Sequence, residues 1–326
     1  MRLLLTCVIM SACGVMATGA ELRIGIIGCD TSHVLAFTEI LNNPAAKGHV
    51  PGGKVIAAYK GGSPDIPSSI AHVESYSKTL REKYGVKIYD SIEGLCQDVD
   101  VVLLESVDGR PHLEQVKPVL KARKPVYIDK PMAASLRDTR EIFRLAKVAK
   151  VPVFSSSALR FGKNTQAVRN GLIGRVQYAE TYGPCSLEPH HPDLFWYGVH
   201  GVESLYTVMG TGCATVQRGT TTNGLIEVVG TWNDGRKGIY REDKGFRGLA
   251  KGEKGETAIG AYDGYEPLVA AIMEFFQTGI APVKPEETME IIAFMEAADE
   301  SKRQGGTPVK IVVASPSKAA KVGANR

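Results

Sequence analysis

Six short apolar runs, interleaved with amphipathic stretches between residues 22 and 154, constrain this chain most. Leu22–Ile27, Lys54–Tyr59, Lys87–Tyr89, Asp100–Leu104, Val126–Ile128 and Val151–Phe154 read as strands. Between them, Val34–Leu41, Tyr76–Tyr84, His112–Ala122 and Leu136–Ala149 repeat apolar residues at helical spacing. Val101-Val102-Leu103-Leu104 has no polar position, as a strand covered on both faces requires. Strand and helix in alternation demand parallel crossovers, so this part is predicted to be a doubly wound parallel sheet.

After about residue 157 the pattern changes. A helix is expected over Asn164–Asn170 and a strand over Arg175–Tyr182, with Gly171 and Gly174 between them. Alternation from Leu225 to Tyr240 is broken by Asn233-Asp234-Gly235, a hairpin signal because both turn positions need positive φ. Helices follow over Tyr265–Gly279 and Pro285–Gln304. This half predicts an α+β domain with a mainly antiparallel open sheet and helices on one face. The expected divisions are residues 21–157 and 158–314, with a small, polar and basic tail at 315–326 predicted to be disordered.

Residues 1–20 are set apart from the fold. Arg2, the apolar run Leu3–Met10 and the small residues ending in Thr18-Gly19-Ala20 have the layout of a secretory signal, with cleavage before Glu21. Export to the periplasm is therefore expected; Met10-Ser11-Ala12-Cys13 leaves a lipid anchor at Cys13 as the lesser alternative. No apolar run is long enough to span a bilayer. Without those residues the 326-residue chain keeps 38 basic and 35 acidic side chains, a balance that argues against nucleic acid or an anionic membrane as partner. Cys29, Cys96, Cys185 and Cys213 form no CxxC pair, so neither a zinc site nor a dense disulfide framework is indicated.

Asp129-Lys130-Pro131 closes the strand Val126–Ile128 and puts an ammonium at the carboxyl edge of the sheet. With Gly171-Leu172-Ile173-Gly174-Arg175-Val176, Gly198-Val199-His200 and Phe275-Phe276-Gln277-Thr278-Gly279, it resembles the Gfo/Idh/MocA family in order and spacing from about Leu22 to Ile311. The family has Glu-Lys-Pro at the first of these. The resemblance implies a Rossmann-type first domain and an NAD(P)-dependent oxidoreductase acting on a sugar, cyclitol or related polyol. The open second sheet points to a homo-oligomer.

The cofactor loop departs from that pattern. A dinucleotide fingerprint uses three glycines, for a tight turn, for close approach to the pyrophosphate and for helix–strand packing. The chain reads Gly28-Cys29-Asp30-Thr31-Ser32-His33, with Asp30 at the second position and His33 at the third. Asp30 reads either as a charge where the pyrophosphate would rest or as an N-cap, with Thr31 and Ser32 opening the helix. His33 would hold the helix away from the strand. Tyr59-Lys60 replaces the ribose-reading acid; Lys60 with Ser63 would seat a 2′-phosphate and favour NADP over NAD, or is simply solvated. Ser106, His112 and Asp129 complete the cofactor-side candidates. Loss of the cofactor is a further expectation, since both the glycines and the acid have changed.

Lys130 and His200 are the catalytic candidates. An ammonium there favours the alkoxide as hydride leaves, and an imidazole suits movement of the hydroxyl proton. In the family an aspartate lies four residues before that histidine, where this chain has Trp196; Asp193, His190 or His191 would have to take its place. Glu203 matches the acid three residues after it. Arg160 reads as a substrate ligand or a structural ion pair. His200 and Glu203 would offer one edge to a metal, but no third ligand is indicated and no metal site is assigned. Two alternatives stand beside the oxidoreductase: a lyase or hydrolase built on His200 and Glu203, and a non-catalytic carbohydrate-binding protein.

Overall fold

The computed structural model describes residues 21–313. The signal-like segment, Cys13 and the predicted tail lie outside them. The first sheet has six parallel strands, β1 (Leu22–Ile27), β2 (Gly53–Tyr59), β3 (Lys87–Tyr89), β4 (Val101–Leu104), β5 (Val126–Ile128) and β6 (Val153–Ser155), in the order 3-2-1-4-5-6. Strand order reverses between β1 and β4, which opens a crevice at their carboxyl ends. Helices α1 (His33–Asn42), α2 (Pro67–Tyr84), α3 (Ile92–Asp98), α4 (His112–Lys121) and α5 (Leu136–Ala149) make the crossovers. The packing is close: a Cβ on Gly25 would come within 2.5 Å of Leu95.

Helix α2 starts well before the predicted Tyr76. Pro67 occupies its first turn, where a missing N–H costs nothing, and the preceding Gly61-Gly62-Ser63-Pro64 had masked the start. Helix α3 was not read from the sequence at all; Ser91 caps it by accepting from Gly94 N–H.

The second sheet is carried on α6 (Lys163–Arg169), α7 (Asp193–Trp196), α8 (Val199–Met209) and α10 (Pro285–Arg303). Its strands are β7 (Val176–Gly183), β8 (Cys213–Thr220), β9 (Ile226–Trp232), β10 (Lys237–Glu242), β11 (Arg247–Gly252), β12 (Gly255–Ile259) and β13 (Val309–Lys310), in the order 12-11-7-10-9-8-13. The pairing is mainly antiparallel, as predicted, with one parallel pair between β7 and β10. Gly235 turns the β9–β10 hairpin at φ +84°. The chain therefore has an α/β fold of two sheets.

Helix α9 (Glu266–Thr278) belongs to the later sequence and packs on the first sheet. Its Leu268, Ile272, Phe275 and Phe276 join Ile24, Phe37 and Phe154 in one apolar cluster. None of the helices among the described residues is long and apolar enough to cross a membrane.

Candidate active site

A cavity of about 430 Å³ lies where the carboxyl edge of the first sheet meets the start of α8. Lys130 from the end of β5 and His200 from the first turn of α8 both line it. Thr31, Ser32 and His33, from the loop after β1, form another wall, and Trp196, Tyr197 and Phe246 close the side of the second sheet. Tyr262 and Tyr265, just before α9, complete it with His72 and Tyr76 of α2. Apart from Trp196, these aromatic residues were not singled out from the sequence. They are scattered over four segments, and no local spacing marks them.

Below the cavity lies a buried polar cluster. His33 Nδ1 is 2.7 Å from Asp129 Oδ2, and the Tyr127 hydroxyl donates to Asp129 Oδ1 at 3.2 Å and to the Ser156 carbonyl at 2.7 Å. His33 does not push α1 away from the sheet. Its ring stacks on Phe37 at 5.4 Å and meets the edge of Tyr265 at 4.9 Å, which tucks it over the strand ends. Glu105, directly after β4, is fully buried, and among the described residues neither carboxylate oxygen has a hydrogen-bond partner. Burial and then the neighbouring Asp129 charge push its pKa well above the usual carboxylate range. Burial also acts to raise Asp129, but His33 and Lys130 outweigh it and hold that carboxyl below its usual range.

Ser157 sets His200: its hydroxyl is 2.7 Å from Nδ1. Enclosure by the protein, with Lys130 close by, lowers the imidazole pKa well below its ordinary value, so His200 stays neutral and ready to accept a proton. Glu203, one turn on, faces away from the cavity. It accepts from Ser157 N–H at 2.8 Å and from Arg160 Nε at 2.7 Å, while Arg160 Nη1 reaches Glu287 at 2.7 Å. Arg160 is 1% exposed and Glu203 4%. Of the two readings of Arg160 the structural ion pair is the one seen, and Glu203, expected on the substrate side, joins it in a buried network that fastens α8 to α10.

The other proposed substrate residues also lie elsewhere. Asp193 pairs with Arg218 and Lys302, beside α10. His190 is exposed and pairs with Glu188 at 2.7 Å. His191 is buried behind Trp196, with Nε2 3.0 Å from Asp108 Oδ1 but out of line for a hydrogen bond. None of the three takes the place of the acid that Trp196 replaces.

The crevice itself is bridged by the chain. Gly28 makes the expected tight turn at φ +88°; a Cβ there would stand 2.4 Å from Ser106 N. Asp30 is not an N-cap. Its carboxylate accepts from Val107 N–H at 3.0 Å and from the Ser69 hydroxyl at 2.6 Å, tying the loops after β1 and β4 to α2. Ser63 donates to Asp108 at 2.5 Å, and Arg110 joins Asp108 to Asp65. Residues 61–69 thus lie as a strap over the point where strand order reverses. Lys60 pairs at the surface with Glu74 at 2.8 Å. Ser106 donates to Gln115, and fully buried His112 makes contacts with the carbonyls of Ser106 and Met132, so both serve the fold rather than a cofactor. Of the expected cofactor residues, Asp30, Thr31 and Ser32 line the cavity.

Residues 22–157 match the model of an oxidoreductase family with an NAD-binding Rossmann fold, Gfo/Idh/MocA. Over 135 residues the chain is 33% identical to myo-inositol 2-dehydrogenase of Thermotoga maritima, covering 39% of each chain. Over 142 residues it is 29% identical to 1,5-anhydro-D-fructose reductase of Ensifer adhaerens, covering 42% of this chain and 43% of that one. The matches thus span about two-fifths of the length of these relatives. The fold likeness runs further. The crystal structure of Lactobacillus casei myo-inositol dehydrogenase, in complex with NAD(H) and myo-inositol, superposes with a TM-score of 0.71 at 16% identity, over 91% of this chain and 99% of that one. A probable dehydrogenase from Thermotoga maritima gives 0.71 at 20% identity, over 89% and 99%. Residues 22–157 are thus similar to the NAD-binding domain of the Gfo/Idh/MocA oxidoreductases, and the two-sheet fold is shared with the solved dehydrogenases.

Proposed function

We propose that this chain is an oxidoreductase of polyhydroxylated rings, with a cyclitol or sugar as substrate. The observation that carries the proposal is that Lys130 and His200 line one cavity, in a chain whose relatives act on such compounds. A cavity of about 430 Å³ has room for a single ring, and the aromatic walls offer apolar faces to its C–H groups. The Lys130 ammonium hydrogen-bonds the reacting hydroxyl and favours its oxyanion. Neutral His200, oriented by Ser157, takes the hydroxyl proton at Nε2.

A dinucleotide of the kind this family binds needs bare backbone at the crevice beside the first loop. Here the Asp30 carboxylate, held by Val107 N–H and the Ser69 hydroxyl, narrows that place. Asp30, Thr31, Ser32, Ser68 and Val107 line the cavity and would face the nucleotide, which when bound would take the hydride from the carbinol carbon.

The experiment is to incubate the full-length protein with a panel of cyclitols and sugars, supplying NAD and NADP in turn. Expected is an absorbance rise from reduced nucleotide with at least one substrate, and a product lighter by two hydrogens. Absence of both, with no quenching of protein fluorescence by either nucleotide, would overturn the redox reading.

The bridged crevice favours a second reading: a lyase or hydrolase working at the same cavity without a dinucleotide. It predicts a product formed by loss or gain of water in the absence of any nucleotide. Mass analysis of the same panel separates the two.

A further inference from the structure

We infer that His33, Glu105 and Asp129 form a binding site for one divalent cation of the manganese or zinc class. Glu105 and Asp129 directly follow β4 and β5, and His33 opens α1 after the loop from β1, the strand beside β4 in the sheet. One ligand atom from each lies within 4.8 Å of the others, and all three residues are buried. His33 Nδ1 stands 2.7 Å from Asp129 Oδ2 and 3.8 Å from Glu105 Oε2. Ligand atoms about 2.1 Å from a shared ion stand roughly 3.0–3.5 Å apart, so modest side-chain rotation closes the set.

Glu105 makes the cluster point to a ligand. It is 0% exposed, and both oxygens lack a partner among the described residues. Burying an unpaired carboxylate is costly, and native proteins satisfy such groups. Protonation would remove the charge but still leave both oxygens without a donor among the described residues. An atom placed between the three side chains would be held by all of them. Charge favours a cation over water, because two carboxylates around a divalent ion are neutral together. The ammonium of Lys130 would then be left to face the cavity.

The donor chemistry sets the class. One imidazole and two carboxylates suit zinc, manganese or iron(II) better than soft-ligand metals. The Tyr127 hydroxyl on Asp129 Oδ1 supplies the outer hydrogen bond that orients a ligating carboxylate. Three protein ligands leave at least one coordination position vacant, and the His33 ring already reaches the cavity wall.

The test uses the full-length protein, purified without chelator and assayed for metals by plasma mass spectrometry. Chelator-treated protein is then titrated with Mn²⁺ and Zn²⁺ separately, by calorimetry and by thermal melting. Expected are about one ion per chain and a Tm rise of roughly 5 °C or more at saturation. Glu105→Gln should bind at least tenfold more weakly. Its metal-free form should melt no lower than the unsubstituted protein, because the amide removes an unpartnered charge. If the unsubstituted protein carries no ion and neither cation moves its Tm, the site is overturned and the gap holds water or a proton. Equal binding by Glu105→Gln would also overturn it, by putting the ion elsewhere. Binding is read without turnover, so its failure leaves the redox reading standing.

Discussion

The Ser157 hydroxyl lies 2.7 Å from Nδ1 of His200, and that contact turns the opposite ring nitrogen toward the cavity. The backbone N–H of the same serine is tied to Glu203 at 2.8 Å, so the residue that orients the imidazole is itself fixed. Ser157→Ala keeps the backbone contact and frees the ring. Turnover should fall about tenfold with little change in KM, since positioning of a proton acceptor affects the chemical step. Ser157→Thr should restore part of the loss. Steady-state kinetics on the best substrate of the panel checks this; an unchanged kcat would remove Ser157 from the machinery.

Lys130→Met tests the other wall of the cavity. Loss of a donor aimed at a developing oxyanion lowers kcat on the order of a hundredfold. The fold should survive with a modestly lower Tm, because the Lys130 ammonium also favours the buried Asp129 carboxylate. A variant that keeps full turnover would move the chemistry away from this residue.

Arg160 is a structural keystone rather than a substrate ligand, and Arg160→Met should show it. The change leaves Glu203 buried without its main partner and removes one of two arginines from Glu287, whose other partner is Arg169. Breaking a buried pair from one side costs about 3–5 kcal/mol. Urea unfolding measures the loss, and a fall below about 1 kcal/mol would contradict the network.

Asp299 gives a pH dependence of defined sign. Burial and then the charge of Asp193 raise its pKa to about 6, although Arg218 lies 3.4 Å away. The folded state therefore holds this proton more tightly than the unfolded chain. Stability contributed by the proton is present below about pH 4 and is lost as pH rises through about 6. Asp299→Asn should stabilise the protein at pH 7 by on the order of 2 kcal/mol, with the advantage vanishing near pH 4. Denaturation across that range checks the slope of the difference.

Gly28→Ala isolates the turn after β1. The residue combines φ +88° with a Cβ position 2.4 Å from Ser106 N, so both backbone strain and a clash oppose any side chain. Gly171 has φ +95° but nothing within 4 Å. Gly28→Ala should cost about 3 kcal/mol or more, and Gly171→Ala about 1–2 kcal/mol. Equal losses would mean that the contact with Ser106 is loose.

How far the sequence could be read depended on the range of the interaction. Val101–Leu104 announced a central strand because burial on both faces leaves no polar position, and Asn233-Asp234-Gly235 announced its hairpin locally. Lys130 and His200 were readable from motifs at element ends, and they do share a cavity. Arg160, Glu203 and Glu287 are far apart in sequence, so nothing local told whether the arginine met substrate or carboxylate. Asp30 looked like a cap because the helix begins nearby; its true partners, Ser69 and Val107, lie on other elements. Glu105 passed as a loop residue after a strand, since only the tertiary structure brings it to His33 and Asp129.

Helix α9 gives the early part of the chain its last layer of side chains from residues made much later. Phe275 and Phe276 complete a core begun by Ile24 and Phe37. A fragment stopping at residue 157 would therefore present a bare greasy flank to water and would tend to clump instead of dissolving. During synthesis the opening sheet must wait, partly uncovered, until the ribosome has delivered the last third of the protein.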